Sequence, residues 1–153
     1  MRKDEPSAMI IQTKYFGESE VNDTDIISFA SGIPGFAQDK RFILQSFSEA
    51  FSILQSVDDA KVAFVVTSPF LFFKDYSVDL PDHFIKQLDV QSQEDVAVWA
   101  IVSAAKPFSK STVNLKAPVI VNVRKKLGKQ YIPERSQYAL KTPLAAALKE
   151  EKV

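Results

Sequence analysis

The chain has 153 residues, 19 Lys plus Arg against 19 Asp plus Glu, and no cysteine, which suits one domain with a sizeable core and excludes disulfides and thiolate metal sites. No apolar run approaches the about 20 residues of a membrane helix and the opening MRKDEPSA has no signal-peptide core, so a cytoplasmic protein with no membrane contact is expected. The zero net charge conceals a split: residues 1–105 carry 8 basic and 16 acidic side chains, a net of −8, and residues 106–153 carry 11 basic and 3 acidic, a net of +8. Such segregation suits the steering of a charged partner.

Residues 1–8, polar and containing Pro6, read as a flexible N-terminal arm. Short runs rich in β-branched and aromatic residues then predict strands at MIIQTKYF (9–16), DIISFA (25–30), RFILQS (41–46), FSILQS (51–56), KVAFVVTS (61–68) and LFFKDYSVDL (71–80). PDHFIKQL (81–88) predicts a short helix, with Pro81 near its start and Phe84, Ile85 and Leu88 on one face. Strands follow at DVAVWAIVSA (95–104), SKSTVNLKA (109–117), PVIVNVR (118–124) and KQYIP (129–133). The near-continuous apolar runs Val62–Val66 and Val96–Val102 predict central strands covered on both faces, with Trp99 largely buried. TPLAAALKEE (142–151) offers Thr142 and Pro143 as a helix start, but Glu150 and Glu151 oppose the helix dipole. The expectation is all-β and mainly antiparallel: a small β-barrel or β-sandwich with one or two short helices. It forms a single domain over 9–144, with a helical or frayed tail at 145–153.

Catalytic chemistry is hard to find. His83 is the one histidine, in the first turn of the predicted helix, and reads as a solvated helix-end residue. Asp58 and Asp59 read as turn formers before a strand rather than cation ligands. No G-x-S-x-G, H-E-x-x-H or P-loop occurs. No enzyme, cofactor or metal is expected.

Three features point to binding instead. In FASGIPGFAQDKRF (29–42), Pro34-Gly35 suits a type II turn and Pro34 removes a donor that a phosphate cradle needs; whether Ile33 and Phe36 face in or out is open. In PFLFFKDY (69–76), period-2 alternation cannot bury Phe70, Leu71, Phe72 and Phe73 on one face, so part of the run is covered on both sides or marks an interface. Lys106, Lys110, Lys116, Arg124, Lys125, Lys126 and Lys129, with Phe108 and Tyr131, form an alternative reading, a basic aromatic surface for RNA. The lack of an RNP-type motif and the zero net charge weigh against it.

Taken together, ISFASGIPGF (27–36), FSILQSVDDAKVAFVVTSPFLFFKDY (51–76), STVNLKAPVIVN (111–122), Gln130-Tyr131-Ile132 and the run from Tyr138 to Leu144 resemble the FliW family of bacterial flagellar assembly factors. Ser68 stands where that pattern has Asp or Asn, Ala60 where Pro is frequent, and MRKDEPSA lies outside the usual start. The resemblance implies a non-enzymatic cytoplasmic regulator that binds newly made flagellin and, in a mutually exclusive way, the translational repressor CsrA. Flagellin synthesis is thereby coupled to secretion. No direct nucleic-acid contact is implied, and a monomer is favoured.

Within that expectation Ile33, Pro34 and Phe36 with Phe72, Phe73 and Tyr76 are the predicted apolar partner-binding residues, and the acidic N-terminal portion is assigned to CsrA. In NLKAP, Pro118 marks an edge, a bulge or a strand start. Asn114 and Lys116, with Gln130, either offer hydrogen bonds to a partner's backbone, or Asn114 is a satisfied polar residue that holds its own loop.

Overall fold

The computed structural model describes residues 7–145. It opens with a hairpin of β1 (Ala8–Thr13) and β2 (Gly17–Asn22). Thr13 closes the turn, its Oγ1 donating to Gly17 O at 2.7 Å and accepting from Phe16 N at 3.0 Å. No strand is predicted at GESEVN, whose glutamates lower its β-propensity; pairing with β1 overrides that preference and leaves Glu18 and Glu20 exposed. Ser7 and Ala8, within the predicted arm, belong to this unit: Ser7 N donates to Asp23 Oδ1 and Asp23 N to Ser7 O, both at 3.0 Å.

Next come β3 (Ile27–Ser28), β4 (Arg41–Ser46), β5 (Phe51–Ser56) and β6 (Ala63–Thr67), two short helices α1 (Pro69–Phe72) and α2 (Asp82–Gln87), and β7 (Val96–Ser103). The chain continues through β8 (Thr112–Val113), β9 (Val119–Asn122), β10 (Leu127–Gln130) and β11 (Thr142–Pro143). Seven strands close a barrel in the order β7-β6-β5-β4-β3-β10-β9, with β9 returning to β7. Neighbours pair antiparallel except β3 and β10, which meet in parallel at Ser28 and Leu127. Ser28 N also donates to Lys126 O at 2.8 Å. The architecture is therefore a β-barrel, not a sandwich, and closure removes the open sheet edges that invite unwanted pairing.

β7 organises the barrel. Ala100–Val102 pair with β6 on one side; on the other, Val96–Trp99 pair with β9 and Val102–Ser103 with β8. β8 and β9 thus lie along the same edge of β7, and NLKAP is the loop between them. Pro118, which cannot donate to a ladder, sits immediately before β9.

Alternation along these strands builds two apolar layers. Phe29, Ile33, Phe42, Leu54, Val66, Val119 and Val121 form one buried cluster, with Ala97, Trp99 and Ile101 of β7 packed against it. The other face of β7 joins different clusters: Ala100 and Val102 with Tyr76, Val113, Leu115 and Leu144, and Val96 and Val98 against Phe84, Leu88 and Ile120. The apolar run at 96–102 is accordingly covered on both sides. Trp99 is only part-buried, contrary to the expectation, although its Nε1 is enclosed without a hydrogen-bond partner among the described residues.

The run at 71–80 is not a strand. Ser68 and Pro69 start a helical turn, with Leu71 N donating to Ser68 O at 3.1 Å and Phe73 N to Pro69 O at 2.9 Å. The physical reason is that one helical turn disperses four consecutive apolar side chains around its axis, which a pleated strand cannot do. The predicted 109–117 strand shrinks to β8, preceded by a 3₁₀ turn at Phe108–Lys110. At the C-terminal end Thr142 and Pro143 pair with Val113 and Thr112 instead of capping the predicted helix, and helical backbone begins two residues later, at Leu144. The predicted tail beyond Ala145, like residues 1–6, lies outside the described residues.

Candidate partner-binding surface

The GIPGF turn forms as its residues require. Phe36 N donates to Ile33 O at 2.6 Å, Pro34 occupies the second position, and Gly35 has φ +87°, open only to glycine without strain. The turn sends its two apolar side chains in opposite directions. Ile33 is 2% exposed in the barrel core, whereas Phe36 is 39% exposed and packs edge-on to Phe64 at 5.1 Å. Pro34 is exposed at the tip.

A second aromatic surface gathers around α1. Phe51 packs between Phe72 (5.8 Å) and Phe108 (5.5 Å), and Phe70 and Tyr138 lie 5.6 and 4.6 Å from Tyr76. Phe72 and Phe73 are half-buried, while Phe70 (47%) and Leu71 (54%) are largely open. Tyr76 is buried, and its hydroxyl donates to Leu115 O at 2.8 Å. Burial, reinforced by Tyr138, pushes the Tyr76 hydroxyl pKa up to about 12. Tyr138 shifts the other way, lowered chiefly because Ser77 N donates to its oxygen at 3.0 Å.

Asn114 holds its own loop. Its Oδ1 accepts from Lys116 N at 3.1 Å and from Ala117 N at 3.0 Å, and Gln130 Nε2 donates to Ala117 O at 2.9 Å. Tyr76 and Lys116 line one shallow cleft, while Phe73 and Tyr76 line the next, with Tyr138 shared between the two. The eight predicted residues therefore fall in two places. Ile33, Pro34 and Phe36 belong to the turn over the barrel core, and the other five to the face outside β7 and β8. Tyr138, which opens one of the sequence landmarks, was not among the eight predicted residues, yet its ring lies against Tyr76 in this surface.

Charge is interleaved more than the two halves of the sequence suggest. Arg124 Nη1 lies 3.7 Å from Asp95 Oδ1, Lys125 Nζ 3.1 Å from Asp89 Oδ2, and Lys129 Nζ donates to Gln87 Oε1 at 2.7 Å. Three cations of the basic segment thus meet groups from the acidic portion, which weakens the RNA reading. Asp58 forms a two-pronged pair with Arg41 that holds its carboxyl below the usual range, and Asp59 Oδ1 accepts from Lys61 N at 2.9 Å. His83 is exposed on α2. Among the described residues no group of three or more His, Cys, Asp or Glu is placed to hold a metal, and no helix is long and apolar enough to cross a membrane.

Residues 10–144 match the family model described as FliW protein. The flagellar assembly factor FliW of Bacillus licheniformis is 47% identical over 138 residues, covering 89% of this chain and 96% of that protein. Its Bacillus subtilis counterpart is 45% identical over the same shares. A crystal structure of the flagellar assembly factor FliW superposes with a TM-score of 0.86 at 42% identity, over 89% of this chain and 96% of that one. The barrel, its sequence landmarks and these likenesses agree: the chain belongs to the FliW family.

Proposed function

We propose that this chain is a flagellar assembly factor that binds cytoplasmic flagellin and, in a mutually exclusive way, the translational repressor CsrA. When unsecreted flagellin accumulates it occupies the protein and leaves CsrA free to repress; when flagellin is exported, the freed protein antagonises CsrA. The reading rests on family membership, whose relatives are named flagellar assembly factors rather than enzymes. The observation that carries a binding role is the exposed apolar side chains at Phe36, Phe70 and Leu71 on a rigid barrel. In this account Phe36 and Pro34, with Phe72 and Phe73, make the apolar contact. Buried Ile33 and Tyr76 hold those side chains in place, and Asn114 fixes the loop that presents Lys116. The exposed carboxylates Glu18, Glu20 and Asp25 on the acidic portion steer CsrA, a role suited to charge rather than to apolar burial.

The test is a titration of the parent, Phe36→Ala and Phe72→Ala against flagellin and against CsrA, with folding followed separately by thermal melting. Loss of an aromatic anchor costs about 2 kcal/mol, roughly a 30-fold loss of affinity. Folded variants that bind both partners as tightly as the parent refute the site. Simultaneous binding of flagellin and CsrA by the parent without mutual weakening refutes the switch.

A further inference from the structure

Outside β7, between α1 and α2, lies a cleft of about 640 Å3. Val96 and Val98 of β7 line it, with Phe70 of α1, Ile85 of α2, Leu80 and Val90. Asp79 is the one charged group among its described lining residues. Asp82 and Glu94 stand exposed nearby in the chain, with Lys86 basic between them, while Asp89 is already paired with Lys125 at 3.1 Å. Two polar lining residues are engaged within their own loop: Gln91 Nε2 donates to Asp89 Oδ1 at 3.0 Å, and Ser92 Oγ accepts from Glu94 N at 3.1 Å. That leaves Gln93 and Asp79 as the other polar lining side chains against seven apolar ones, a sparse set for orienting a small polar ligand. Its apolar surface also continues past the rim onto exposed Phe70 and Leu71, so an occupant covering both is a polypeptide.

We propose that this cleft docks the apolar face of a basic amphipathic helix from a partner protein. Aliphatic side chains at i, i+3 or i+4, and i+7 enter between α1 and α2, and flanking lysines or arginines meet Asp79 and the neighbouring carboxylates. The match is one of charge as well as shape: an acidic rim around an apolar floor selects against an acidic helix of equal hydrophobicity. The site adjoins the surface assigned above, Phe70 lying 5.6 Å from Tyr76, but includes none of its eight residues. It does not depend on the identity of the partners named there.

Three synthetic peptides of about 16 residues, roughly four helical turns, test this against the full chain. One carries a leucine stripe with lysine flanks, one the same stripe with glutamate flanks, and one dispersed leucines with lysines. Fluorescence anisotropy at low and high salt gives affinity, and methyl chemical shifts of Ile85, Val90, Val96 and Val98 give location. The expected result is that the lysine-flanked stripe binds roughly tenfold or more tighter than the other two, that its advantage over the glutamate form shrinks with salt, and that shifts map to the cleft. Asp79→Lys, an exposed change compatible with folding, and Ile85→Lys, checked by melting, each weaken binding roughly tenfold. The proposal is overturned if none of the peptides binds, if the three bind alike, if shifts fall elsewhere, or if Asp79→Lys changes nothing.

Discussion

The ring of Phe29 lies against Gly128 so closely that a Cβ built on that glycine would sit 2.6 Å from Cε1 and 2.8 Å from Cε2. Phe29 is fully buried after β3 and Gly128 lies within β10, so the pair seals the parallel seam of the barrel. The ring has no room to withdraw. Gly128→Ala is expected to destabilise the fold by about 1–3 kcal/mol through overpacking. Adding Phe29→Leu should recover part of that loss, giving a favourable coupling in a double-mutant cycle read by urea unfolding. An unchanged midpoint for Gly128→Ala would mean that the seam is looser than described.

Tyr76→Phe removes the donor to Leu115 O and is expected to cost about 1–3 kcal/mol, because the carbonyl is left unpaired near the core. The same hydroxyl sets an alkaline limb. Its pKa in the folded chain, about 12, exceeds the roughly 10 of an unfolded tyrosine, so the folded state holds the proton longer. That contribution is complete below about pH 10 and is lost as pH rises through 12, a change of about 2–3 kcal/mol. Denaturant melts between pH 9 and 12 should show this decline in the parent and a shallower one in Tyr76→Phe.

Gln55 ties the hairpin to the barrel. Its Oε1 accepts from Lys14 N at 2.9 Å, and its Nε2 lies 3.0–3.3 Å from the carbonyl oxygens of Ser56, Asp59, Ala60 and Val62. Two hydrogens serve those acceptors in alternation, in a fully buried position. Gln55→Leu should therefore cost about 1–3 kcal/mol. Hydrogen exchange is the sharper measurement: the Lys14 amide should lose protection while amides of β5 paired with β4 keep theirs.

The Arg41–Asp58 pair makes a modest prediction. Both side chains are about half exposed, so Asp58→Asn should change stability at neutral pH by no more than about 1 kcal/mol. Arg41 lowers the Asp58 pKa in the folded chain, so the contribution is present above about pH 4 and lost as pH falls through the depressed value. Acid melts at low and high salt should show a small difference that salt erases.

Much of the barrel was legible because local pattern and tertiary demand agree. RFILQS and FSILQS become β4 and β5 with the predicted bounds, each an apolar run stopped by polar residues. GESEVN was opaque because only its pairing partner makes it a strand, and PFLFFKDY because a dense apolar run carries no period to separate one helical turn from a strand. The site was less legible than the fold. Ile33 and Phe36 are three residues apart and carry the same apolar signal, yet a turn sends one into the core and the other to the surface. Tyr76 looked like a contact residue and proves to be a buried hydrogen-bond donor whose acceptor lies 39 positions away.

The seam of Ser28 with Leu127 has a consequence for synthesis on the ribosome. β3 emerges early but finds its parallel neighbour only when β10 has cleared the exit tunnel, near the end of the chain. Until then β3 to β6 form a curved, unclosed meander whose apolar concave side, including Phe42 and Leu54, faces water. Nascent chains stopped before Leu127 should therefore bind trigger-type holdase chaperones and resist compaction, and those released after Gln130 should not. The protein acquires its sealed interior almost all at once, when β10 meets β3 and β9 meets β7.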